Sequence, residues 1–163
     1  MYNVNLENKL IIVDITSAML DYVALQSDID ETKIKSAAYQ AQVVDIERVI
    51  GEENVERARD PQTTEDENLR TALLPVICYF TYARLLKGFQ GTYTESGYHL
   101  DTESTEAKEA KKVANEHASI AEVFLQKVID FLEDENPDDE NVDTAKMHPS
   151  IRIFGGQENR ASN

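Results

Sequence analysis

Cysteine is nearly absent from this 163-residue chain. The one thiol, Cys78, has no intramolecular partner. It stands in an apolar run, Pro75-Val76-Ile77-Cys78-Tyr79-Phe80, where cysteine behaves as a small buried hydrophobe. A disulfide scaffold is therefore excluded, and a reducing compartment is expected. Long apolar runs are missing too: none approaches the about 18 consecutive apolar residues of a membrane span, and the N-terminus lacks the basic start and apolar run of a signal peptide. These absences place the chain in the cytoplasm of the cell that makes it, with no membrane partner. Basic residues are few, 16 against 31 acidic, for a net charge of -15. Affinity for nucleic-acid phosphates comes from Lys and Arg displacing counterions, so a direct grip on DNA is disfavoured.

Signatures of chemistry are equally scarce. The three histidines, His99, His117 and His148, are scattered, and none has the i, i+4 or His-Glu spacing that puts two metal ligands on one helical face. His117 falls on an apolar stripe and reads as a core residue. No Gly-x-x-x-x-Gly-Lys occurs, and Lys87-Gly88-Phe89-Gln90-Gly91 follows a helical pattern where a phosphate loop should precede one. Nothing near Cys78 in the sequence would activate it as a nucleophile. Carboxylates are abundant, but none stands in a motif that positions an acid against a base. The expectation is a protein with no catalytic residues, no cofactor and no metal; it is not read as an enzyme.

What is present is helical periodicity. The length suits one ordinary domain with a real core. Residues 6–22 join a β-branched run (Leu10-Ile11-Ile12-Val13) to Thr16-Ser17-Ala18-Met19-Leu20, an extended lead-in and then a brief helix. Asp28 and Glu31 have capping-box spacing for a helix carrying Ile34, Ala37, Ala38, Ala41, Val44 and Val49 to Gly51, a natural stop. Residues 52–59 supply two further turns before Asp60-Pro61 breaks them. Thr64 is the expected cap for a helix over 69–86 that is apolar on most faces, as in the centre of a bundle, with Pro75 marking a kink or a second section. Residues 89–100 change character. Thr92, Tyr93 and Thr94 precede Glu95-Ser96-Gly97, and Tyr98, His99 and Leu100 follow it, a β-hairpin signature whose arms have too little apolar area to fill a core. From 104 to 134 runs the clearest helix, with Ala107, Ala110, Val113, Ala114, His117, Ile120, Ala121, Phe124, Val128 and Phe131 on one stripe. It is expected to pack along both earlier long helices.

The fold class is therefore mainly α: a bundle of about four helices in residues 1–135, with a hairpin insertion near 89–102. Residues 136–163 form an acidic linker and a tail. The tail carries one alternating island, Ile151-Arg152-Ile153-Phe154, suited to adding a strand to a partner's sheet edge. Tyr79 and Tyr82 are expected to anchor packing. Phe89, Tyr93, Tyr98 and Leu100 on the hairpin, with the tail island, are candidates for a subunit or partner interface, where a ring with a polar tip is favoured. The negative charge also fits an acidic helical regulatory protein that captures a basic partner or mimics DNA.

The order of elements resembles one family. Tyr22-Val23-Ala24-Leu25-Gln26-Ser27-Asp28-Ile29-Asp30, leading into Ala41-Gln42-Val43-Val44-Asp45-Ile46 and ending at Val49-Ile50-Gly51, is similar to the head–tail connector (adaptor) proteins of tailed bacteriophages. Leu74-Pro75-Val76-Ile77-Cys78-Tyr79-Phe80-Thr81-Tyr82-Ala83-Arg84, then Thr94-Glu95-Ser96-Gly97, then a long helix ending in Phe131-Leu132, resembles the connectors of Bacteroides-infecting and crAss-like phages. The resemblance runs over residues 10–135. It implies a structural virion protein of the neck, assembled as a homo-oligomeric ring, commonly a dodecamer. Such a ring binds portal protein on one side and tail or neck proteins on the other, and DNA only passes through its lumen. Residues 52–59 depart from that pattern, being more charged than the apolar short helix such proteins place after Gly51.

Overall fold

A computed structural model of the chain describes residues 7–25, 29–88, 91–94, 97–100 and 105–135. The architecture is mainly helical. A 3-10 turn, Glu7–Lys9, precedes α1 (Ile15–Leu20), which Asp14 caps by accepting the Ser17 N–H at 3.2 Å. α2 (Glu31–Ala41) starts one residue after Asp30, whose carboxylate accepts the Thr32 N–H at 2.8 Å. Asp30 is the cap, because its extended backbone aims the carboxylate at the first free N–H groups.

The chain then keeps its helical course but widens into a π-helical segment, Gln42–Glu47, before α3 (Arg48–Ile50). Gly51 ends this run at φ 85°, ψ 155°, a conformation reserved for glycine, and lets α4 (Glu52–Arg59) start in a new direction.

α5 (Thr64–Gly88) is the spine. Its start is a reciprocal box one residue earlier than the sequence suggests: Thr63 Oγ1 accepts the Asp66 N–H, and the Asp66 carboxylate accepts the Thr63 N–H, both at 3.2 Å. Pro75 neither ends nor splits the helix. It is buried within one continuous run, and the N–H it lacks would have bonded the carbonyl of Thr71, one turn back. By length and composition alone α5 would span a bilayer, but 56% of its most apolar window is buried in the protein, as a core helix requires.

Gly91–Thr94 (β1) and Gly97–Leu100 (β2) pair antiparallel with Tyr93 opposite Tyr98. Their side chains lie outside the described residues. α6 (Thr105–Glu135) returns antiparallel to α5 and has α5 as its dominant partner. α2 packs on α5 and not comparably on α6, so the long helix is covered mainly from one side rather than two.

The core is one apolar cluster in which Ile11, Ile15, Ile34, Ile46, Ile50, Leu69, Leu73, Leu125 and Ile129 are almost wholly buried. From α6 that cluster takes Ala121, Leu125, Val128, Ile129 and Leu132. The N-terminal third of the helix contributes only Ala107 and Ala114, which are buried but lie outside the cluster. α6 therefore runs past the main cluster at the end away from α4, whereas α5 stays in it as far as Leu85.

Candidate functional site

No group of three or more His, Cys, Asp or Glu side chains converges as a metal site among the described residues. Cys78 is wholly buried, and burial pushes its thiol up to about 12, so it is a packing residue and a poor nucleophile. The polar side chains that do converge form three structural ties and one open face.

The first tie is the π segment. The widened turn carries Gln42 and Asp45 inward, and each is nearly buried. Gln42 donates Nε2–H to the Lys9 carbonyl and accepts the Ile11 N–H, both at 2.9 Å, so one amide straps the N-terminal segment to the bundle. Asp45 receives a two-pronged bond from Arg84 of α5, at 2.8 and 2.9 Å, the planar fork that matches a carboxylate. Tying loop and helix together from adjacent turns is a use for which the π geometry, often found at special sites, is suited.

The second tie closes the α4 corner. Arg57 donates from Nε to Asp66 at 2.8 Å, from Nη2 to Glu135 at 3.2 Å and from Nη1 to Asn54 at 3.0 Å. One guanidinium thus joins α4, the start of α5 and the end of α6. The bond from Arg57, with the N–H groups of Gln62 and the Thr63 hydroxyl, holds the Asp66 carboxyl below the usual carboxylate range despite the opposing effect of burial.

The third tie is aromatic. Tyr79 stacks on Phe124 (centroids 5.9 Å, 10° between planes) and meets Tyr22 edge-on at 6.1 Å. Tyr82 meets His117 at 4.8 Å and donates its hydroxyl to the Ala24 carbonyl at 3.3 Å. His117 Nδ1 lies 2.8 Å from the Val113 carbonyl, a geometry in which Nδ1 carries the proton. Tyr79 and Tyr82 are packing anchors, and His117 is a half-buried member of the seam.

The open face lies on α6. Lys108, Lys112, Asn115, Ser119 and Val123 recur at steps of three and four, all exposed, with Lys111 and Ile120 on the flanks. A broad shallow depression of about 710 Å³ runs along Lys108, Lys111, Lys112, Asn115, Glu116, Ser119 and Ile120. Ile120 is 39% and Val123 61% exposed, in a helix otherwise patterned as amphipathic. At the opposite end of the pair the surface is acidic: Glu52, Glu53 and Glu56 of α4, Asp60, Glu65, Glu67, Glu133 and Asp134 are all exposed.

The model of one protein family matches residues 29–145, most of the chain. The chain belongs to DUF6712, a family of unknown function. No curated protein and no solved structure matches it. The DUF6712 match begins at the entry to α2, so the α1 segment that Gln42 straps down precedes it.

The interface residues expected from the sequence fall where side chains are not described. Phe89 and Ile151, Arg152, Ile153 and Phe154 lie outside the described residues, as does the whole 136–163 segment; Tyr93, Tyr98 and Leu100 have backbone pairing only. The ties built on Gln42, Asp45–Arg84 and Arg57–Asp66–Glu135 were not anticipated. Their signal in the sequence was a polar residue on the buried face of a helical pattern, most visible at Gln42 between Ala41 and Ile46.

Proposed function

We propose that this protein is a structural ring subunit of a phage head–tail connector, joining portal to tail in the virion neck and extending the DNA channel. The reading rests on the resemblance over residues 10–135. The structural observation that supports it best is the length of α6, whose N-terminal third reaches past the main cluster and leaves one face of the helix open. A subunit that contacts neighbours needs rigid helices tied at the base and surface left over at the end. The two-pronged Asp45–Arg84 bond and the Arg57 corner supply the first, and the N-terminal third of α6 supplies the second. A net charge of -15 suits a channel along which DNA must slide without sticking.

In this proposal the β1–β2 hairpin projects from a bundle of about four helices. Phe89, Tyr93, Tyr98 and Leu100 reach a neighbouring subunit or ring, and Ile151, Arg152, Ile153 and Phe154 dock the tail on a partner during assembly. The deciding measurement is the mass of the purified chain by light scattering, alone and with the portal protein of the same phage, followed by imaging of any complex. A ring in either sample supports the proposal. A chain that stays monomeric and never binds portal overturns it and favours the second reading, an acidic helical protein that captures a basic partner, for which the charge is the specific support.

A further inference from the structure

The outward side of α6 carries a charge pattern that becomes its own complement when it is turned end for end. Lys112, Glu116, Ile120, Val123, Lys127 and Asp130 follow one another at steps of three and four, the seam spacing of paired helices, and all six side chains are exposed. Read forward, the seam is basic, acidic, apolar, apolar, basic, acidic. Read backward, it is acidic, basic, apolar, apolar, acidic, basic. The local contacts of these charges are slight: Lys112 meets Glu116 at 4.0 Å, Lys127 lies 4.9 Å over the Phe124 ring, and Asp130 accepts from Gln126 at 2.9 Å. Exposed pairs of this kind contribute little to folding, so the charges are available to a facing surface.

We infer that this seam docks the same seam of a second copy of the chain, the two α6 helices running antiparallel about a two-fold axis between Ala121 and Glu122. In that register Ile120 of each copy lies against Val123 of the other, Glu116 against Lys127 and Lys112 against Asp130, and the symmetry makes every pair occur twice. Val113 and Phe131, half-buried on one flank, come to matching heights and widen the apolar strip. Like charges meet at the ends, Glu109 against Asp134, with Lys108 and Glu133 paired beside them on the other flank. A parallel pair would set each charge against its own copy, and a slip of one heptad would set Ile120 against Asp130 or Glu116, so the charges select one register. The net charge of -15 opposes any meeting of two copies, but at physiological salt the Debye length is about 8 Å, which screens distant charges and leaves the facing pairs in force. A two-fold contact closes after two chains. It therefore goes beyond the connector reading: it joins free subunits and does not build a ring.

The test measures the mass of the full chain against concentration by sedimentation equilibrium in physiological salt. The wild type should reach a dimer and stop there. K127E should weaken the dimer about tenfold, and E116K by a similar factor, since each sets like charges against one another at both symmetry-related places. E116K/K127E exchanges the two charges and should recover the dimer. K111E changes the net charge as K127E does, but at an exposed position off the seam, and should leave the dimer as it is. Circular dichroism of each variant checks that the helices persist.

A photocrosslinker at Val123 reads the register independently. In a mixture of isotopically labelled and unlabelled chains, which separates contacts between copies from those within one, it should capture Ile120 of the other copy. A wild type that is monomeric at every concentration reached overturns the inference. So does a dimer that K127E and E116K leave intact, that their combination fails to restore, or that K111E weakens as much as K127E. Crosslinks from Val123 that miss α6 of the second copy overturn it too. The connector reading is decided separately, by whether rings form and bind portal, with or without a dimer of the free chain.

Discussion

The two ends of the α5–α6 pair are built on different physics. At the α4 end, α6 buries Leu125, Val128, Ile129 and Leu132 in the main cluster, and Arg57 ties its last turn to two other helices. At the other end it buries two alanines, and its exposed surface mixes Lys108, Lys111 and Lys112 with Glu106, Glu109 and Glu116. Large aliphatic side chains contribute about 1.5–3 kcal/mol each on burial, and alanine far less, so the folding free energy is concentrated at one end. The lesson is that helix length in this protein is not set by what the core needs. The main cluster draws on α6 from Ala118 onward; before it, the helix packs through small Ala107 and Ala114 and the His117 seam and keeps most of its remaining surface exposed.

The sharpest way to break this comparison is to empty the end that is said to hold the fold. Leu125→Ala leaves a cavity in the main cluster and should cost about 2–5 kcal/mol, read as a lowered denaturant midpoint with an unchanged slope. A loss below about 1 kcal/mol would mean that the site collapses freely and that stability is not concentrated there.

Next in size is Gln42→Ala. The substitution leaves the Ile11 N–H and the Lys9 carbonyl without the amide that bonds both, at about 1–3 kcal/mol for such an unsatisfied group. Faster amide exchange at Ile11 before global unfolding would identify the strap. Unchanged exchange there would show that the N-terminal segment is held by its apolar side chains alone.

The helices were readable in the sequence because they depend on local signals. The helical recurrence from Ile34 to Val49, the stop at Gly51, the break at Asp60-Pro61 and the long helix to Phe131 are each decided within a turn or two of chain, but the buried face was less exact: Val44 and Ile120 are exposed, and Leu125, Ile129 and Leu132 lie in the core beside the expected stripe. The expected cap of α5 was one residue off, at Thr64 instead of Thr63, because neighbouring side chains can accept the same N–H groups and backbone geometry selects among them. Pro75 suggested a break and made none, since the packing around α5 outweighs one missing bond. The π segment was illegible: its sequence, Gln42 to Glu47, has the same apolar spacing as an α-helix, and only the partners of Gln42 and Asp45, 31 to 39 residues away, favour the wider turn. The Arg57 corner was hidden for the same reason. A charged residue in α4 reads as solvated until Glu135, 78 positions on, is placed beside it.

That corner also carries the pH dependence. Arg57 holds the Asp66 carboxyl below its ordinary value of 3.8 in the folded chain. A folded value below the unfolded one stabilises the protein above the unfolded value, and the stabilisation is lost as pH falls through the folded value. Asp66→Asn should therefore melt lower than wild type at neutral pH. The gap should narrow as the medium is acidified below about 3.8, where the wild type loses what the variant never had. Thermal melts of both proteins along a pH series check this. A gap that stays constant into strong acid would mean that Asp66 acts as a neutral cap for Thr63 and Gln62 rather than as the anion paired with Arg57.

The smallest expected effect is at the open end, and it tests the comparison from the other side. Lys112 is 77% exposed and meets Glu116 in an i, i+4 contact, a kind of pair worth about 0.3–0.5 kcal/mol. Lys112→Ala in the monomer should leave the melting temperature within the shift expected of about 0.5 kcal/mol, and alanine's helix propensity offsets part even of that. Measured at low protein concentration, such a null result agrees with an exposed face that adds little to folding. A loss well above 1 kcal/mol would show that the N-terminal third of α6 is covered within its own subunit, and the division between a folded base and an exposed rod would have to be abandoned.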